Sequence, residues 1–125
     1  RNGKESVLID PGSLITFRET LRKVKYLVDL KNIKYIICHH QDPDIAACLP
    51  ELEKTLPEGE RYIVTHWRTY FLLKHYNLLT PFYLVDQHGF KLSLEGRELQ
   101  FILTPYMHYP GNIVTYDPKT KVLFS

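Results

Sequence analysis

The stretch Ile33-Lys34-Tyr35-Ile36-Ile37-Cys38 is a nearly continuous apolar run, bounded on both sides by segments of helical periodicity. A half-exposed strand alternates apolar with polar residues. A strand that is apolar almost throughout has to be covered on both faces, which points to a parallel sheet flanked by helices. Neither this run nor any other apolar run in the chain is long enough to span a bilayer.

The neighbouring segments fit that frame. Ser6 to Gly12 predicts a short strand closed by a Pro-Gly turn, and Ser13 is a natural N-cap for a helix. Leu14, Phe17, Leu21, Val24, Leu27 and Val28 then recur at helical spacing, and Asn32 ends that helix. A second helix is predicted from Pro43 to Leu56, with Ile45, Cys48, Leu49, Leu52 and Leu56 on its apolar side and Pro57-Glu58-Gly59 as its stop. Arg61 to Thr65 predicts a strand, and Trp67 to Tyr76 a short helix. From Pro81 onward the texture changes to short β-rich pieces broken by Gly, Pro and Asp, with Asp117 to Thr120 as a tight hairpin turn. The expected fold class is α/β, βαβαβα followed by a β-meander, in one layered sheet with helices on at least one face.

No linker divides the 125 residues, so a single domain over 1–125 is expected. The net charge of +2 is small, and the basic residues are scattered apart from Arg18, Arg22, Lys23 and Lys25, which argues against a nucleic-acid partner. Two cysteines make no disulfide framework; Cys38 and Cys48 suit buried thiols in a cytoplasmic protein. The chain does not begin with Met and its last strand, Leu123-Phe124-Ser125, runs out without a turn, so a chain processed, tagged or cut from something longer is expected.

Chemistry concentrates where the apolar run ends. His40, Asp42 and Asp44 alternate there, so their side chains can converge on one side of an extended stretch, at the strand edge where open α/β sheets bind ligands. Imidazole with hard carboxylate oxygens suits iron or manganese, and zinc less exclusively. The same residues also make an ordinary helix start, with Asp42 as N-cap, Pro43 as first helical residue and Asp44 near the positive helix end, which is the commoner use of such residues. His39 points to the opposite face and is expected to pack. A metal site needs a distant partner, and His108 in Thr104-Pro105-Tyr106-Met107-His108-Tyr109-Pro110 is the candidate.

Taken together, His40-Gln41-Asp42-Pro43-Asp44 running on to Leu49-Pro50-Glu51-Leu52, and the later stretch from Asp86 through His108 to Ser125, resemble flavodiiron proteins. The resemblance covers nearly the whole chain, with order and spacing kept. It implies part of an αββα metallo-β-lactamase-like sandwich and a diiron cofactor, with His40, Asp42, Asp44 and His108 as metal ligands. Asp42 stands where the family has Glu, and Ile45 where it has a further His, so one imidazole of the second iron is lost unless His39 or another residue replaces it. The family's bridging Asp and last His would follow Ser125, so the domain is expected to be truncated at both ends. His66, Tyr106 and Tyr109 are candidates for supporting roles or alternative ligands, with aromatic packing the commoner use of the tyrosines. His75 and His88 match no ligand spacing.

The resemblance further implies binding of dioxygen or nitric oxide, as an oxygen sensor or as a reductase. The variant residues bring the chain closer to the oxygen-binding diiron proteins of bacterial signalling. A homodimer and an electron-donor flavoprotein or signalling partner follow from it. No phosphate-binding loop is present, so FMN is not expected on this chain. Two other readings stay open: a zinc hydrolase of the metallo-β-lactamase type, and a metal-free domain kept for interaction.

Overall fold

The apolar run forms strand β2 (Ile33–Ile37), which lies between parallel neighbours β1 (Ser6–Ile9) and β3 (Tyr62–Thr65), with β4 (Phe82–Leu84) beyond β3. The computed structural model describes residues 4–125. The crossovers are α1 (Phe17–Leu27), the pair α2 (Pro43–Ala46) and α3 (Leu49–Thr55), and α4 (Trp67–Leu73). Strands β5 (Lys91–Leu94), β6 (Arg97–Leu103), β7 (Ile113–Asp117) and β8 (Val122–Phe124) form a second, antiparallel sheet in sequential order.

Both faces of β2 are covered, as its composition requires. Ile36 and Cys38 pack with Leu49, Leu52 and Leu73 under the helices, while Tyr35 and Ile37 pack with Leu92, Leu99, Phe101 and Ile113 of the second sheet. The layers are therefore helices, parallel sheet, antiparallel sheet. Each interior has the alternation of in-facing apolar residues that fixes strand register, since a slip of one residue would turn the whole set outward. Among the described residues, no helix is long and apolar enough to cross a membrane.

Four details differ from the sequence-based expectation. There are two sheets rather than one layered sheet, because the β-rich pieces after β4 pair only with one another. Phe82–Leu84, expected at the start of the meander, instead pairs in parallel with β3, Val64 against Tyr83. The helix expected over 43–56 is broken after Ala46, and Pro50 takes a position in the first turn of α3, where its missing N–H costs nothing. Finally, α1 begins at Phe17 rather than after Ser13. Leu14 and Leu27 remain exposed while Phe17, Val24 and Val28 reach the core.

Candidate metal centre

The carboxyl ends of β1, β2 and β3 release three loops at one edge of the parallel sheet. Asp10 follows β1, His39 and His40 follow β2, and His66 follows β3. From the other sheet, the β6–β7 connection, residues 104–112, brings His108 to the same edge. The two sheets are joined at this point, since the Ile113 N–H at the start of β7 donates to the His39 carbonyl at 3.1 Å.

His40, Asp42 and His108 converge, each offering a ligand atom within 4.8 Å of the others. His108 Nε2 lies 2.6 Å from Asp42 Oδ2, His40 Nδ1 lies 3.9 Å from the same oxygen, and the two rings meet edge to face with centroids 4.5 Å apart. The Asp42 N–H donates to His40 Nδ1 at 3.2 Å, so the backbone of the loop helps orient the ring. Asp42 stands at the N-cap of α2 with extended backbone, yet its side chain makes no capping hydrogen bond. Its Oδ1 accepts instead from Gln41 Nε2 at 2.9 Å, and its Oδ2 is turned to His108. A good cap contributes about 1 kcal/mol, so this carboxylate is held away from a favourable local use.

Asp44 is exposed and stands apart from the three-residue cluster, but it lines the same cavity of about 410 Å³ with His40, His108, Ile45 and Asp10. Ile45 puts hydrocarbon at that wall and packs onto the helix-side core. His39 is buried between the sheets, with Nε2 2.8 Å from Thr115 Oγ1 and Nδ1 2.7 Å from Asp10 Oδ2. His66 is the N-cap of α4. Its Nδ1 accepts from the Arg68 N–H at 3.3 Å, and burial pushes its pKa down. Tyr106 is 80% exposed with φ of 62°, Tyr109 is half-buried, and neither lines the cavity. His75 is exposed, and His88 stacks on Tyr83 at 3.8 Å.

Asp10 is the residue of this edge that sequence reasoning passed over as part of a Pro-Gly turn. Its Oδ1 accepts the His39 N–H at 3.0 Å, and its own N–H donates to the Ile37 carbonyl at 2.9 Å. The usable signal was its place directly after the first strand, at the edge where His40 also emerges.

The loop of His108 is braced by its own ends and by α4. Asn112 Nδ2 donates to Thr104 Oγ1 at 2.8 Å, the Thr104 N–H donates to the Asn112 carbonyl at 2.9 Å, and Thr69 Oγ1 donates to the Gly111 carbonyl at 3.1 Å. A β-carbon at Gly111 would lie 2.8 Å from Arg68 Cβ and 3.1 Å from the Thr69 backbone nitrogen. Gly111→Ala is therefore expected to destabilise the fold by about 1–3 kcal/mol through overpacking, read as a lower urea midpoint. Faster amide exchange over residues 104–112 than in the wild type should accompany it.

Helices on one face of a parallel sheet, an antiparallel sheet on the other, and imidazole and carboxylate side chains gathered at the strand ends define the metallo-β-lactamase-like class of fold. The model of the ODP family beta lactamase matches residues 1–125, and the chain belongs to that family. Among curated relatives it is similar to the anaerobic nitric oxide reductase flavorubredoxin of Enterobacter sp. (strain 638), 33% identical over all of this chain and 26% of that one. It is also similar to the coenzyme F420H(2) oxidase of Methanothermobacter marburgensis, 34% identical over 98% of this chain and 31% of that one. Among solved structures it matches rubredoxin oxygen:oxidoreductase from Desulfovibrio gigas, with a TM-score of 0.86 and 27% identity over 98% of this chain and 30% of that one. A mutant form of the flavo di-iron protein from Thermotoga maritima gives a TM-score of 0.84 at 27% identity, over 94% of this chain and 29% of that one. The chain thus spans less than a third of the length of these relatives. It is a flavodiiron-type metallo-β-lactamase-like domain sequence throughout its described length.

Proposed function

We propose that this chain supplies metal ligands to a flavodiiron-type oxidoreductase acting on dioxygen or nitric oxide, with iron held by His40, Asp42 and His108. The observation that carries the reading is Asp42, a helix N-cap whose carboxylate is withheld from the helix and aimed at two imidazoles. The names of the relatives, a nitric oxide reductase and an oxygen oxidoreductase, support the substrate class.

The donor set fits the metal. Two imidazoles and a carboxylate drawn from two loops suit iron, and the hard carboxylate oxygen makes the set less exclusive to zinc. Iron, when bound, supplies one-electron redox chemistry and an open coordination position for a diatomic gas. The chain's residues do the rest. His40 and Asp42 orient each other through the Asp42 N–H, the braced 104–112 loop presents His108, and Asp44 adds a second carboxylate to the cavity wall. Ile45 offers no donor, so for a second iron on this side the cavity wall offers the carboxylates of Asp44 and Asp10 in place of the lost imidazole. Electrons come from a flavin carried outside this chain, on another domain or on a partner flavoprotein.

Ile45 favours one alternative, a domain kept for sensing or interaction with an incomplete second site. The test is metal analysis of the full-length protein after iron-replete expression, followed by anaerobic reduction and exposure to dioxygen or nitric oxide. Bound iron with gas consumption is the expected result. Iron with gas binding but no turnover favours the sensor, and stoichiometric zinc without iron overturns the reading.

A further inference from the structure

We propose that His39, together with Thr115, is the positioning element of the metal centre. Resting on the metal-binding reading above, it sets the distance between the loop that carries His40 and Asp42 and the loop that carries His108.

His39 belongs to the parallel-sheet side and Thr115 to the second strand of the antiparallel pair β6–β7, so the 2.8 Å contact between Nε2 and Oγ1 crosses from one sheet to the other. Both residues are buried, His39 at 3% exposure and Thr115 at 0%. The imidazole is also held from behind. Asp10 Oδ1 accepts the His39 N–H at 3.0 Å, and Asp10 Oδ2 lies 2.7 Å from Nδ1, although the ring N–H does not point straight along that contact. A carboxylate at Nδ1 favours a proton on that nitrogen, which leaves Nε2 to accept from the Thr115 hydroxyl. The backbone repeats the link, because the His39 carbonyl accepts the Ile113 N–H at 3.1 Å.

What is held in place follows from chain connectivity. His40 is the next residue after His39. On the other side, Ile113 and Thr115 continue directly from Asn112, whose carbonyl and side chain close the loop that carries His108. The two halves of the metal cluster therefore meet through a loop anchored at His39 on one side and, on the other, through a loop anchored at β7 and braced by α4. Asp10 holds a left-handed backbone with φ of 46°, an unfavourable conformation for a residue other than glycine that persists where surrounding bonds over-determine it.

The order carboxylate, imidazole, hydroxyl is also that of a nucleophilic triad. Thr115 has no exposed surface and sits inside the β6–β7–β8 ladder, so no substrate reaches its oxygen. The row is suited to holding geometry.

The experiment is Co²⁺ titration of the full-length apoprotein, read by visible d–d absorption, with unfolding midpoints measured in parallel. The variants are Thr115→Val, Thr115→Ser, Asp10→Asn and His40→Ala. Thr115→Val removes the hydroxyl at constant shape, and Asp10→Asn weakens the hold on Nδ1 while keeping an acceptor for the His39 amide. Both are expected to lower Co²⁺ affinity by about 10–100-fold and shift the d–d bands, with Thr115→Ser restoring affinity to within about threefold of wild type. Should Thr115→Val not fold, Asp10→Asn decides alone. Wild-type affinity and spectrum in the folded variants, with only the unfolding midpoint lowered, overturn the positioning role while His40→Ala still loses Co²⁺. Wild-type binding by His40→Ala overturns the metal site itself and the proposal with it.

Discussion

Replacing His108 with alanine is expected to weaken iron binding by at least about 100-fold, since even outer partners of metal ligands cost 10–100-fold when removed. The apoprotein should barely notice. The His108 side chain is half exposed and its partner Asp42 is 38% exposed, and pairs of that kind contribute about 0–1 kcal/mol. Loss of metal with an unchanged unfolding midpoint is thus the signature, measured by metal analysis after iron-replete expression and by denaturation of the metal-free form. Asp42→Asn should behave similarly, with a smaller loss, because the amide oxygen still donates a lone pair but brings no charge. Retention of iron at wild-type stoichiometry in His108→Ala would remove that residue from the ligand set. His40 is the less clean probe, being partly buried next to His39.

The fold was legible where one physical constraint dominated. The run from Ile33 to Cys38 demanded cover on both faces and has it, from helices on one side and a second sheet on the other. Where the strands pair was not legible. Phe82–Leu84 is short and half-buried, and nothing in its composition distinguishes a fourth parallel strand from the first arm of a meander. Its place depends on the α4 crossover and on the Ile63 N–H reaching the Pro81 carbonyl at 2.9 Å, which are tertiary facts. The break between α2 and α3 did carry a signal, since Pro50 lies inside the expected helix and cannot donate to Ala46.

The candidate site divides in the same way. His40, Asp42 and His108 could be named in advance because two separated motifs stand in register, each ambiguous alone. Thr115 could not, because a strand threonine is ordinary until the sheets are stacked, and Asp10 carried only its place directly after the first strand as a signal. Asp44 shows the limit of alternation as a guide. Equal spacing along an extended strand places it beside Asp42, but α2 has begun at Pro43, and the helix carries Asp44 to the cavity rim.

The second large effect lies far from the metal edge, at the other end of β7. Asp117 is 2% exposed and accepts from Arg97 Nε at 3.1 Å, from Arg97 Nη2, from Thr120 Oγ1 and from the Lys119 N–H at 3.1 Å. The aspartate that starts the hairpin turn is thus also the buried counter-charge of Arg97, reaching across the antiparallel sheet from β7 to the first residue of β6. Taking the arginine away leaves an anion in a site built for a pair. Arg97→Ala is therefore expected to destabilise the fold by about 3–5 kcal/mol, while Arg97→Met with Asp117→Leu should return most of that loss, since well-packed apolar pairs often match buried ion pairs. Urea unfolding of Arg97→Met, Asp117→Leu and the double variant, closed as a cycle, measures the coupling, with Arg97→Ala measured beside them. If Arg97→Ala costs under about 1 kcal/mol, the turn bonds from Lys119 and Thr120 suffice to satisfy the carboxylate, and the arginine behaves as an exposed partner.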